Sequence, residues 1–150
     1  MKSLPLILAL AFSTAAQAGV DIQRWTTGNG TEVLLVEQHD NPIVDMQVNF
    51  KGAGSVFNPE GKSEVAEFTA ALLTDGTEKL DEEAFNAAAD DIAAQIDSSS
   101  GQESSAAVLR SLSRPETLKK AAGLLNQSLT HPRFDRSEEH TSELQSPLII

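Results

Sequence analysis

Val44, Met46, Val48 and Phe50 alternate with Asp45, Gln47 and Asn49. A period of two sends successive side chains to opposite faces of a strand, so residues 43–51 read as a strand with one buried face and one wet face. Upstream, Thr27-Gly28-Asn29-Gly30-Thr31 joins a strand over residues 20–26 to one over 32–38, because Asn-Gly tolerates the positive φ of a hairpin turn. Downstream the period lengthens. Val65, Phe68, Leu72 and Leu73 form a helical apolar stripe, with Glu67, Ala70 and Ala71 expected on the opposite side. Asp81 is placed to cap a second helix that carries Phe85, Ala88, Ala89 and Ile92 on one face. Residues 102–112, rich in Ser, Ala and Val, read as a strand paired with residues 95–99, and Ser98-Ser99-Ser100-Gly101 as a turn. Ser113-Arg114-Pro115-Glu116 has the form of a capping box opening a last helix. Leu118, Ala122, Leu125 and Leu129 form its stripe, and Pro132 stops it. The elements predict an α+β fold: an antiparallel sheet with helices packed on one face.

The two ends follow different rules. Residues 1–18 have the make-up of a secretory signal peptide. Lys2 supplies the positive start, residues 4–12 the apolar stretch, and Ala16-Gln17-Ala18 a small-x-small cleavage site. A run this short falls below the roughly 20 apolar residues of a spanning helix, so no membrane anchor is expected after cleavage. The expected destination is the bacterial periplasm, or beyond it. At the other end, Arg136-Ser137-Glu138-Glu139-His140-Thr141-Ser142-Glu143-Leu144-Gln145-Ser146 reproduces the translation of a common sequencing adapter. Residues 136–150 are therefore read as a non-native tail, and His140 carries no functional weight. The native chain is expected to continue past Asp135, leaving residues 19–135 as part of one modest domain.

Charge narrows the partners. The chain has 11 Lys+Arg against 22 Asp+Glu, a formal net charge of −11. Such acidity disfavours nucleic acid and anionic membrane surfaces. Clusters such as Asp81-Glu82-Glu83 read as solvated helix starts. With no Cys, an exported chain gains no disulfide and must rely on its core.

The most informative stretch is Gly61-Lys62-Ser63-Glu64-Val65-Ala66-Glu67-Phe68-Thr69-Ala70-Ala71-Leu72-Leu73-Thr74-Asp75-Gly76-Thr77. It follows the strand introduced by His39-Asp40-Asn41-Pro42, a Gly-rich turn from Gly52 to Gly54, and Pro59-Glu60-Gly61-Lys62. This order resembles the start of the N-terminal domain of the insulinase-like (pitrilysin/processing-protease) zinc metallopeptidases. Leu129-Thr130-His131-Pro132-Arg133-Phe134-Asp135 resembles the Pro-x-Phe segment that closes the family's next long helix. The likeness spans about residues 20–135. Active members carry His-x-x-Glu-His on the first helix, a few residues before Gly-Thr. Counted back from Gly76-Thr77, Glu67 stands at the first His, Ala70 at the Glu and Ala71 at the second His.

The resemblance implies a scaffold without its chemistry. Two imidazoles at i and i+4 reach one Zn²⁺ from a shared helix face, and the Glu between them takes a proton from metal-bound water. One carboxylate and two methyl groups do neither. His39, His131 and His140 are the only histidines, and none is paired at helical spacing. His39 reads as a turn residue, His131 as a helix end, Trp25 as packing or an edge contact, and Glu67 as an exposed helix residue. The expectation is a truncated metallopeptidase-like domain, from an exported subunit that helps a homologous catalytic partner hold peptide substrate. This chain would carry no cofactor, zinc being confined to the partner. Two alternatives stay open. A catalytic site could lie in a missing C-terminal part or in a partner subunit, or the chain could be an unrelated exported α+β binding module.

Overall fold

The computed structural model describes residues 20–134. The expected signal peptide, the adapter-like tail with His140, and Asp135 lie outside the described residues. The chain forms two compact units, divided between Asp40 and Asn41.

The first unit is a hairpin of β1 (Ile22–Thr26) and β2 (Glu32–Val36), antiparallel, with Trp25 opposite Val33. Both strands are shorter than expected. Their loop closes through Thr27 N–H to the Thr31 carbonyl (2.9 Å) and Gly30 N–H to the Thr27 carbonyl (3.0 Å). Only Gly30 takes positive φ, at 88°, and Asn29 does not. The loop is thus a three-residue one ending in a left-handed glycine. Trp25 is exposed.

The second unit is built on a three-stranded antiparallel sheet of order β3-β5-β4, where β3 is Ile43–Lys51, β4 is Gln95–Ser100 and β5 is Ser104–Leu112. The strand over 43–51 has the boundaries read from its alternation, but its expected buried face is only partly covered: Val44 and Val48 are half-buried, while Met46 and Phe50 are exposed. Ser98 to Ser100 belong to β4 rather than to a turn, and the reversal falls between Ser100 and Ser104. The register sets Val48 opposite Ala107 and Met46 opposite Leu109, with Ile96 opposite Leu109 on the other side. These residues share one face. Asp45, Gln47, Gln95, Asp97, Val108 and Arg110 alternate onto the other.

Three helices lie on the apolar face. They are α1 (Val65–Leu72), which packs on β4 and β5, α2 (Glu82–Asp90), which packs on β4, and α3 (Pro115–Thr130), which packs on β5. Ala107 and Ala121 are both buried where α3 crosses β5, and their small side chains let helix and strand approach closely. Leu109 and Leu125 complete that cluster. A second cluster sets Phe85 and Ala89 of α2 against Leu124, and Ile92 and Ile96 pack against both clusters. Burying each large apolar side chain contributes about 1.5–3 kcal/mol.

Local signals were only partly decisive. Asp81 does cap α2, its carboxylate accepting the Ala84 N–H (2.8 Å). Ser113 does not cap α3. The N-cap is Arg114, with no side-chain cap bond, and Pro115 opens the helix. Proline at the first helical position needs no N–H partner there, so the helix starts one residue later than a Ser113 cap would require. The α3 stripe is also rotated: Ala121, Leu124, Leu125 and Ser128 are buried, while Leu118, Ala122 and Leu129 are half-buried.

Candidate functional site

The motif helix α1 is held from both ends by groups outside it. Its N-cap residue, Glu64, makes no side-chain cap bond. Asn58 serves instead, six residues earlier. Its Oδ1 accepts the Ala66 N–H (3.0 Å) while its Nδ2 donates to the Ser63 carbonyl. One of the orphan donors at the helix start is thereby satisfied from across a loop. That loop begins at a 3-10 turn, Ser55–Phe57, which packs against α1. The turn is fixed in its own right: Ser55 N–H donates to the Gly101 carbonyl (2.9 Å) and Val56 N–H to the Gln102 carbonyl (3.0 Å). Gly54 is buried where the chain meets the Gln102–Glu103 peptide, and a Cβ there would collide with that backbone. Gly54 thus sits at a close backbone crossing that leaves no room for a side chain, whereas Gly52 meets no atom and serves the turn through its positive φ of 78°.

At the C-terminal end α1 tightens. Leu73 N–H donates to the Ala70 carbonyl (3.1 Å) and Thr74 N–H to the Ala71 carbonyl (3.3 Å), the i→i+3 pattern of a 3-10 turn. The Ser98 hydroxyl on β4 also donates to the Ala70 carbonyl. Gly76 follows with φ at 122°, a backbone region L side chains avoid. Thr77 is buried. Its N–H meets the Leu80 carbonyl (2.8 Å), its Oγ1 accepts the Leu80 N–H (3.2 Å), and next to it Glu78 N–H meets the His131 carbonyl (2.9 Å). Gly76-Thr77 is a latch joining the end of α1, the approach to α2 and the end of α3. His131 is the C-cap residue of α3, as its place before Pro132 suggests.

Glu67, Ala70 and Ala71, the residues expected at the zinc-motif positions, do not share one environment. Glu67 and Ala71 are exposed, one helical turn apart, whereas Ala70 is only 3% exposed and packs toward the sheet. The expected apolar stripe is corrected with it. Phe68 is 55% exposed and Val65 40%, while Ala66, Ala70 and Leu73 turn inward. The sheet beneath α1 carries Ser98 and the backbone of β5, so small residues fit that interface better than Phe68 does.

The donor set at this helix does not fit zinc. Ala70 and Ala71 end in methyl groups, and Glu67 is the one ligand type among the three. Among the described residues, no group of three His, Cys, Asp or Glu side chains is placed to hold a metal ion.

Two further features escaped the sequence. On the face opposite the helices, Arg110 grips Asp45 with two bonds, Nε to Oδ1 (2.6 Å) and Nη2 to Oδ2 (3.0 Å). Hydrogen bonding to Arg110 holds the Asp45 carboxyl below the usual carboxylate range, and the same bonds raise the Arg110 guanidinium. Gln95 and Asp97 line the same open hollow, of about 490 Å³. The pair lies 65 residues apart in sequence, and only the strand register brings it together. The second feature is Asn58. Its sole signal was its position before Pro59 at the approach to a helix.

No family profile and no curated protein matches the chain by sequence. Solved structures do match by shape. The chain is similar to a peptidase M16 inactive domain from Pseudomonas fluorescens, at TM-score 0.74 and 26% identity, covering 83% of this chain and 29% of that one. It is also similar to a protease from Helicobacter pylori, at TM-score 0.65 and 17% identity, covering 78% of this chain and 27% of that one. The described residues thus carry the α+β fold of an M16, or insulinase-like, peptidase domain. The chain spans less than a third of the length of either structure.

Proposed function

We propose that this chain is part of an exported, non-catalytic insulinase-like subunit that holds peptide substrate for a homologous catalytic partner. The observation that carries the reading is Glu67, Ala70 and Ala71 standing on a helix whose surrounding frame is intact. The Gly54 crossing and the Gly76-Thr77 latch hold that helix in place. A frame kept without its metal ligands supports a role in shape and contact rather than in hydrolysis. A peptide can be held by main-chain pairing, since β3 and β4 are the two edges of the described sheet and an extended segment can add to such an edge. Zinc chemistry would then belong to the partner.

The test is binding without cleavage. The full chain is mixed with fluorescently labelled, unstructured peptides, and anisotropy and peptide mass are followed with and without a chelator. Saturable binding, intact peptides and indifference to the chelator are expected. Cleavage by this chain alone that a chelator abolishes would transfer the catalytic role to it. Absence of any peptide binding would remove the holding role.

A further inference from the structure

The tip of the β1–β2 hairpin carries a modification chemistry that depends on no metal and no partner. We infer that Asn29 is a site of spontaneous deamidation through a cyclic imide. The chain has six asparagines. Asn41 and Asn58 precede proline, which has no main-chain N–H to act as nucleophile. Asn49 lies in β3, Asn86 in α2 and Asn126 in α3, where regular structure fixes the following peptide. Asn29 alone precedes glycine, and both residues are exposed. A Cβ built on Gly30 would meet no atom within 4 Å, so no other part of the chain crowds the tip.

The step balances without a redox partner. Hydroxide removes the Gly30 amide proton, and the nitrogen attacks Asn29 Cγ. The N–Cγ bond forms, the Cγ–Nδ2 bond breaks, and Nδ2 leaves as ammonia after gaining a proton. Water then opens the five-membered imide at either carbonyl, giving aspartate or isoaspartate. Either product places a new carboxylate at the tip. Isoaspartate also inserts a methylene into the main chain, which spoils the closure of the Thr27–Thr31 loop.

The folded turn restrains the reaction. Gly30 N–H is bonded to the Thr27 carbonyl (3.0 Å), and the Thr27 hydroxyl donates to Asn29 Oδ1. Both bonds must loosen before nitrogen and Cγ meet, so the rate reports opening of the hairpin tip. The experiment incubates the full chain in neutral and in mildly alkaline buffer and maps it by mass spectrometry, with isoaspartyl methyltransferase as a second readout. Conversion is expected at Asn29, faster at higher pH, slower than in a free peptide of residues 26–32, and several-fold faster in Thr27→Val. Asn29→Gln, whose ring would be one atom larger, should stay unconverted. Conversion spread evenly over Asn86 and Asn126, or none at Asn29 after the free peptide has fully reacted, would overturn the assignment. An unchanged rate in Thr27→Val would overturn the restraint.

Discussion

Asn58 reaches across a loop and takes the Ala66 N–H at 3.0 Å, so a side chain outside α1 does the work of its missing cap. The same amide donates to the Ser63 carbonyl and ties down the connection itself. Asn58→Ala should lower stability by about 0.5–2 kcal/mol, the range for losing a helix cap. Asn58→Asp keeps the acceptor and should recover part of the loss. Denaturant titration of the three proteins decides this, and equal midpoints for wild type and Asn58→Ala would show that the bond contributes nothing.

The crossing at Gly54 makes a contrasting pair with Gly28. A methyl group on Gly54 runs into the Gln102–Glu103 peptide, while one on Gly28 meets no atom within 4 Å. Gly54→Ala should cost about 1–3 kcal/mol through overpacking, and Gly28→Ala should be close to neutral. Thermal melts read both. A Gly54→Ala protein melting with the wild type would mean that the backbones separate at little cost.

Ala93 is the one non-glycine described residue with positive φ, at 51°. It ends α2 with Ala94 N–H donating to the Ala89 carbonyl (2.9 Å), a left-handed helix stop usually built on glycine. The left-handed state costs an L residue about 1–2 kcal/mol, and the extra freedom of unfolded glycine offsets about 0.5–1 kcal/mol of any relief. Ala93→Gly should therefore stabilise the protein by about 0.5–1 kcal/mol, seen as a higher midpoint in denaturant. A lower midpoint would place the entropy term above the strain.

Glu67, Ala70 and Ala71 should respond unequally to replacement by the His, Glu and His of the proposed motif. Glu67→His and Ala71→His replace exposed residues and should change stability by about 0.5 kcal/mol or less. Ala70→Glu puts a carboxylate against the sheet and should cost about 2–4 kcal/mol. The wild-type chain should hold substoichiometric zinc by metal analysis, and the triple variant should gain measurable zinc affinity without cleaving peptide. Chelator-sensitive proteolysis by the triple variant, or tight zinc in the wild type lost on Glu67→Ala, would show that the site is more complete than these residues allow.

The Asp45–Arg110 pair should give a small pH signature. The Asp45 carboxyl titrates lower folded than unfolded, so its contribution to stability is complete above the ordinary carboxylate range. That contribution disappears as pH falls through the lowered value. Both groups are exposed, which keeps the effect modest and sensitive to salt. A carbon-detected NMR titration should find Asp45 low in the wild type and back in the usual range in Arg110→Met. An identical titration in both proteins would mean that the pair does not persist in solution.

What the sequence determined by itself was set by local periods and local chemistry. The alternation from Val44 to Phe50 fixed β3, since a strand's two faces repeat every second residue whatever lies above them. Asp81 fixed the start of α2, because a carboxylate and the N–H three residues on need nothing else to meet. Tertiary structure decided the rest. The pattern Val65, Phe68, Leu72, Leu73 showed that α1 is a helix but not which side is buried. The sheet beneath it, with Ser98 at the Ala70 carbonyl, accepts Ala66 and Ala70 and leaves Phe68 outside. The cap from Asn58, the crossing at Gly54 and the Asp45–Arg110 bond join residues distant in sequence. Such pairs exist only once strand register and loop path are set, and no single-residue propensity encodes them.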